Sequence, residues 1–229
     1  MSKTVGDFFV ERLYDWGVRT IFGYPGDGVN GVLGALQRAK GKIDFVQVRH
    51  EEMAAFMACA YAKFTGELGV CLSTGGPGAS HLITGLYDAK LDHMPVLAIA
   101  GQAPRAVRGG HYQQELNLDR MFMDVADYVQ ELETAPQLQH MVDRGLRIAK
   151  ANNGVCVLIL PGDLQEEPFE APPPHRPVAA RFAPPVAWPR SRRFAALADT
   201  SLTRSPFPEL HDGRRRLRRP LRGTSGRSP

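Results

Sequence analysis

Short apolar runs alternate with amphipathic stretches from the first residues to about position 160. The runs are Arg19–Gly23, Ile43–Val48, Leu68–Ser73, Val96–Gly101, Tyr128–Leu132 and Val155–Leu160. Runs of this length, bounded by Gly, Pro or Asp, suit strands covered on both faces. The intervening stretches carry apolar residues at helical spacing. Thr4 reads as the N-cap of a helix with Phe8, Phe9, Leu13 and Trp16 inward and Gly17 as its stop. Further helices are predicted at 29–39, 51–65, 79–90, about 118–125 and 136–151. The helix at 51–65 carries Ala54, Ala55, Ala58 and Ala62 on one face, which permits close packing. Strands alternating with helices predict parallel pairing with helices on both faces. With right-handed crossovers this makes an α/β fold, a doubly wound, mostly parallel sheet of about six strands.

Residues Pro161-Gly162-Asp163-Leu164, then Pro168 and Pro172 to Pro174, signal the exit from that domain. We therefore expect a domain over 1–170 and a linker or tail over 171–229. Charge supports the division. Residues 1–174 hold 15 Lys+Arg and 21 Asp+Glu, for a net charge of −6, whereas 175–229 hold 13 Arg, no Lys and 3 Asp+Glu, for +10. The overall +4 describes neither part. The Arg/Pro-rich tail has no hydrophobic periodicity and is expected to be disordered. Its composition resembles out-of-frame translation of GC-rich coding DNA, which suggests a truncated or frameshifted product. The basic run at 214–219 lacks aromatic interleaving and a folded frame, so nucleic-acid binding is not expected. No apolar stretch approaches the roughly 18 residues of a membrane span. Residues 1–13 carry Lys3, Asp7, Glu11 and Arg12 and do not read as a signal peptide. Three widely spaced cysteines, Cys59, Cys71 and Cys156, suggest reduced thiols in a cytoplasmic protein.

Three turns carry the candidate chemistry. Tyr24-Pro25-Gly26-Asp27-Gly28, Arg49-His50-Glu51 and Ser73 to His81 each follow a predicted strand and precede a helix. That puts all three at the carboxyl edge of an open sheet, where ligands bind. An acid in the first helical turn also simply favours the helix dipole. Flanked by two glycine-rich turns, however, Glu51 reads as a cofactor-site carboxyl. Glu52 takes the plain surface role. The glycines of Gly75-Gly76-Pro77-Gly78 permit a tight strand-to-helix turn and close approach of backbone to a ligand. His81 and His93, single histidines near helix ends, read as structural. The stretch after His50 lacks the second histidine of a zinc-protease helix. Gly26-Asp27-Gly28 resembles a metal-diphosphate signature, but lacks the Asn pair that signature needs downstream.

Taken together, several segments resemble the N-terminal pyrimidine-binding domain of thiamine-diphosphate enzymes, most closely the acetolactate synthase and pyruvate oxidase branch. They are Ile21 to Gly26, Arg49-His50-Glu51, Ala60-Tyr61-Ala62, Gly75 to Ser80, Gly85 to Ala89, Asp92 to Leu97, Gln114-Glu115 and Leu160 to Leu164. The likeness covers about three quarters of the chain in the family's order. It implies thiamine diphosphate as cofactor, with Glu51 bonding a ring nitrogen of the aminopyrimidine and promoting deprotonation at the thiazolium. It implies cofactor contacts from Gly75, Gly76, Pro77, Gly78 and Ser80, and a substrate mouth at Pro25, Gly26 and Gln114. The residue before Gln114 is Gln113 where relatives carry Phe, so substrate preference is left open. The substrate class implied is a small 2-oxo acid such as pyruvate. Magnesium would be held by a diphosphate domain that this chain does not contain. Flavin is used by some of the branch, and nothing in these residues points to FAD. The resemblance further implies a homodimer or higher assembly, or a diphosphate-binding partner chain, and little activity for this chain alone. Two other readings stand beside it: the pyrimidine-binding subunit of a two-chain decarboxylase, and a non-catalytic interaction protein.

Overall fold

A computed structural model describes residues 3–170; the expectations for 171–229 lie outside the described residues. Six strands form one sheet: β1 (Thr20–Gly23), β2 (Asp44–Gln47), β3 (Gly69–Ser73), β4 (Val96–Gln102), β5 (Tyr128–Glu131) and β6 (Val155–Pro161). The order is β2-β1-β3-β4-β6-β5. Every pairing is parallel, where the sequence predicted a mostly parallel sheet.

Among the described residues seven α-helices connect and cover it: α1 (Val5–Asp15), α2 (Asn30–Arg38), α3 (Glu51–Thr65), α4 (Pro77–His81), α5 (Ile83–Leu91), α6 (Leu118–Phe122) and α7 (Leu138–Asn152). Thr4 caps α1 as expected, in a reciprocal capping box with Asp7. The predicted helix at 79–90 starts earlier, with Pro77 in its first turn, and breaks at Leu82 into α4 and α5. Among the described residues no helix is long and apolar enough to cross a membrane.

Alternate residues of the strands face opposite layers. Val70, Leu72, Leu97, Ile99, Leu158 and Leu160 join α1, α2 and α7 in one core. Cys71, Ala98, Ala100, Val157 and Ile159 join α3, α5 and α6 in the other. The second core uses smaller strand residues because α3 lies close to the sheet. A Cβ at Gly69 would sit 2.0 Å from the carbonyl oxygen of Ala58, and one at Gly85 would sit 2.7 Å from the Ala55 Cβ. Gly69→Ala must therefore push α3 off β3. We expect a loss of at least about 1–3 kcal/mol of stability, the scale of core overpacking, read from the urea midpoint at unchanged m-value.

The three cysteines are buried and unbridged. Burial pushes the thiols of Cys59 and Cys71 up to about 12, so they stay protonated at neutral pH.

The segment after β6 folds back over the start of the chain. Gln165, buried, donates through Nε2 to the carbonyls of Gly28 (2.7 Å) and Leu160 (2.9 Å) and accepts from the Val32 amide at 3.2 Å. Phe169 packs its ring 4.7 Å from that of Phe8. These contacts tie the exit segment to α1, α2 and the turn after β1.

At the far edge, Glu131 ends β5, is nearly inaccessible and pairs with Arg108. Burial pushes its carboxyl up to about 7 from 4.5, against the pull of Arg108. A raised carboxyl means that the folded state binds the proton more tightly. Its contribution is therefore full below about pH 4.5 and is lost as pH rises through about 7, a swing on the order of 3 kcal/mol. Glu131→Gln should flatten the stability-pH curve between those values in urea titrations. An unchanged slope would show that the acid is not titrating there.

Candidate functional site

The strand order reverses between β1 and β3, because the chain runs outward from β1 to β2 and then returns to pair β3 on β1's other side. Such a switch point opens a crevice at the carboxyl ends of the two strands. The turns after β1, β2 and β3 all meet there.

Thr74 locks two of them together. The Gly28 amide donates to its Oγ1 at 3.1 Å, and a Cβ at Gly26 would lie 2.6 Å from the Thr74 Cβ. Both glycines are thus needed for close packing of the first turn on the second. The turn after β3 passes through Gly76 at φ +57°, ψ −120°, a conformation reserved for glycine. A Cβ there would lie 2.4 Å from the carbonyl oxygen of Gln114, so the loop after β4 rests directly on Gly76.

The turn after β2 delivers Glu51. Val48 continues the pairing onto β1 through its amide, 2.9 Å from the Gly23 carbonyl. His50 then takes an extended conformation (φ −155°, ψ 140°) and caps α3, its Nδ1 accepting from the Glu52 amide at 3.4 Å. Glu51 is the first residue of α3 and is only 9% exposed. Its Oε2 lies 3.0 Å from Nδ1 of His81, at the end of α4. The His81 ring lies against the His50 ring, with centroids 4.4 Å apart and planes at 31°. The other carboxyl oxygen, Oε1, faces Gly78, where a Cβ would lie 3.1 Å away.

Around this carboxyl lies a cleft of about 320 Å³. Pro25, Gly26, Glu51, Pro77, Gly78 and Gln114, all singled out in the sequence, line it together. Tyr24, Asp27, Thr74 and His81 complete the lining. Gly75 faces a neighbouring cavity of about 350 Å³ with Gln102, Pro104, Tyr112 and Asp163, and Gln114 borders both. Gly76 lies beneath Gln114. Ser80 turns its hydroxyl to the Pro77 carbonyl (2.8 Å) and lines neither space.

His81, read from the sequence as structural, reaches Glu51 across 30 positions. No periodicity or spacing flags that pair; the turn after β3 brings it about. His93, by contrast, sits exposed in a left-handed turn (φ 53°) at the end of α5. Thr74 lay within a turn already marked by its glycines, but its role as their common contact appears only when β1 and β3 are paired.

The fold and this cleft define a doubly wound ligand-binding domain with one buried carboxyl at its switch point. The chain belongs to the thiamine pyrophosphate enzyme family, matching its N-terminal TPP binding domain over residues 3–123. It is 42% identical over 167 residues to the pyruvate oxidase of Lactiplantibacillus plantarum, covering 72% of this chain and 28% of that protein. It is 37% identical over 168 residues to an acetolactate synthase of Arthrospira platensis, covering 72% and 29%. A third relative, an uncharacterized 42.6 kDa protein of Pseudomonas amyloderamosa, is 40% identical over 199 residues, covering 86% of this chain and 50% of that one. That last match is longer than residues 1–175 can supply, so the likeness runs past the switch in charge. The chain spans half or less of each of these relatives.

Proposed function

We propose that this domain forms the pyrimidine-binding half of a thiamine diphosphate site in an enzyme that decarboxylates a small 2-oxo acid, in the manner of pyruvate oxidase or acetolactate synthase. The observation that carries this reading is the Glu51 carboxyl, buried at the floor of the switch-point cleft and held by His81. The residues fit an aminopyrimidine. An almost inaccessible carboxyl offers an acceptor to a protonated ring nitrogen, and Gly78 leaves the space beside Oε1 that any side chain would fill. Bound thiamine diphosphate would supply a thiazolium that takes up the electron pair released by decarboxylation. In this chain Glu51 holds and returns a proton, His81 fixes the direction of Oε2, and Gly75 to Gly78 form the wall. Pro25, Gly26 and Gln114 shape the mouth. The diphosphate, its magnesium ion and any flavin fall to residues other than these, elsewhere in the polypeptide or in a partner. The family match and the relatives support the cofactor class; the 2-oxo acid and the assembly are proposed.

Calorimetric titration of the full chain with thiamine and with thiamine diphosphate tests it. Both should bind with affinities within about tenfold, a difference of about 1.4 kcal/mol, because the cleft meets only the pyrimidine end. Glu51→Gln should weaken both. No binding at millimolar concentration, or binding unaffected by Glu51→Gln, overturns the reading.

A further inference from the structure

We propose that His50, Glu51 and His81 also form a site for a transition-metal dication, of the class of Zn2+, Cu2+ or Ni2+, centred on the carboxyl of the cleft. Each residue offers one ligand atom, and the three atoms all lie within 4.8 Å of one another. Glu51 Oε2 and His81 Nδ1 are already 3.0 Å apart. Zinc bonds of about 2.0–2.2 Å to nitrogen and oxygen call for ligand atoms roughly 3–3.5 Å apart, so the outlying contact must close by about 1 Å. The two imidazoles can supply that movement. Their side chains are 48% and 44% exposed, while the carboxyl between them is anchored at the start of α3. The bond from the Glu52 amide to His50 Nδ1 is long, at 3.4 Å, and leaves the other ring nitrogen available.

The donor set selects the ion. Two imidazoles and one carboxylate suit zinc, copper or nickel, whereas magnesium and calcium prefer shells of oxygen. Three protein ligands leave a fourth position facing the cleft, as in zinc sites that stay open to water or a ligand. An ion held there occupies the Glu51 carboxylate. If the proposed function holds, these metals inhibit the enzyme at this carboxyl, independently of the magnesium that accompanies diphosphate. The metal site itself does not depend on that reading.

The test is calorimetric titration of the full chain, free of cofactor, with zinc chloride. One saturable site is expected, with no comparable site for magnesium chloride. His81→Ala, Glu51→Gln and His50→Asn should each weaken zinc by about tenfold or more, since even supporting residues of metal sites contribute on that scale. Asn at position 50 keeps an N-cap acceptor for α3, so loss of binding there reports the lost imidazole, and circular dichroism confirms the fold. His93→Ala should leave binding unchanged. Absence of saturable zinc binding, or wild-type affinity in the His50→Asn, His81→Ala double variant, overturns the proposal. Because no thiamine compound is present, its failure is distinct from failure of the cofactor reading.

Discussion

Glu51→Gln, in an active assembly containing this domain, should lower decarboxylation and exchange of the cofactor's C2 proton by about 100- to 10,000-fold, the scale of a lost general acid–base group. Gln can accept or donate a hydrogen bond at the same place but cannot take up and return a proton. The fold should survive, because the side chain lies at the floor of a cleft and its one described side-chain partner is the half-exposed His81. Glu52→Gln is the control. The neighbouring position on a helix points about 100° away, and Glu52 contributes its backbone amide to the His50 cap. Exchange measured by proton NMR after quenching separates this step from substrate binding. Wild-type exchange in Glu51→Gln, or a larger loss in Glu52→Gln, would move the proton-handling role away from Glu51.

Asp143→Ala should cost about 3–5 kcal/mol, the scale for removing one partner of a buried ion pair. Asp143 lies on α7 and is nearly inaccessible. It accepts from Arg12 Nε and Nη2, both at 2.7 Å, and from Trp16 Nε1 at 2.8 Å. The Asp143 hydrogen bond holds the Arg12 guanidinium above its ordinary value, so the arginine stays charged. Removing the carboxylate leaves the Arg12 guanidinium, between α1 and α7, with only the exposed Asp15 at 3.8 Å as a charged partner. Against a typical stability of about 5–15 kcal/mol, this would consume a large part of the total. The urea midpoint gives the measurement. A shift below about 1 kcal/mol, the median worth of an exposed pair, would mean that water reaches Arg12 and replaces its partner.

These two carboxylates differ in how far the sequence reveals them. Glu51 stands directly after a strand, between two glycine-rich turns, and opens a helix. Each of those signals is local, so the residue can be singled out without any tertiary contact. Asp143 sits mid-helix among polar and apolar neighbours and carries no such signal. Its partners Arg12 and Trp16 lie more than 120 positions away. Gln165 is similar: Pro161-Gly162 marks an exit from the domain, yet only the folded chain shows Gln165 bonded back to Gly28 and Val32.

The helix break at Leu82 was hidden for a related reason. Residues 79–90 keep a helical apolar pattern throughout, and a one-residue interruption leaves that pattern intact. The break nonetheless separates α4, which ends on the cleft at His81, from α5, which packs on α3 through Gly85.

By itself the sequence determined the alternation of strands and helices, the parallel α/β class, and the three turns at the sheet's carboxyl edge. Strand and helix periods, turn glycines and caps act over a few consecutive residues, so they can be read in order along the chain. Only the tertiary structure decided which turns meet. Pairing β3 beside β1 makes the switch point, sets Thr74 against Gly26 and Gly28, and carries His81 to Glu51. Those contacts depend on strand order, and strand order is settled by how the two helical layers bury their apolar faces against the sheet, a property of the whole domain that no single segment carries.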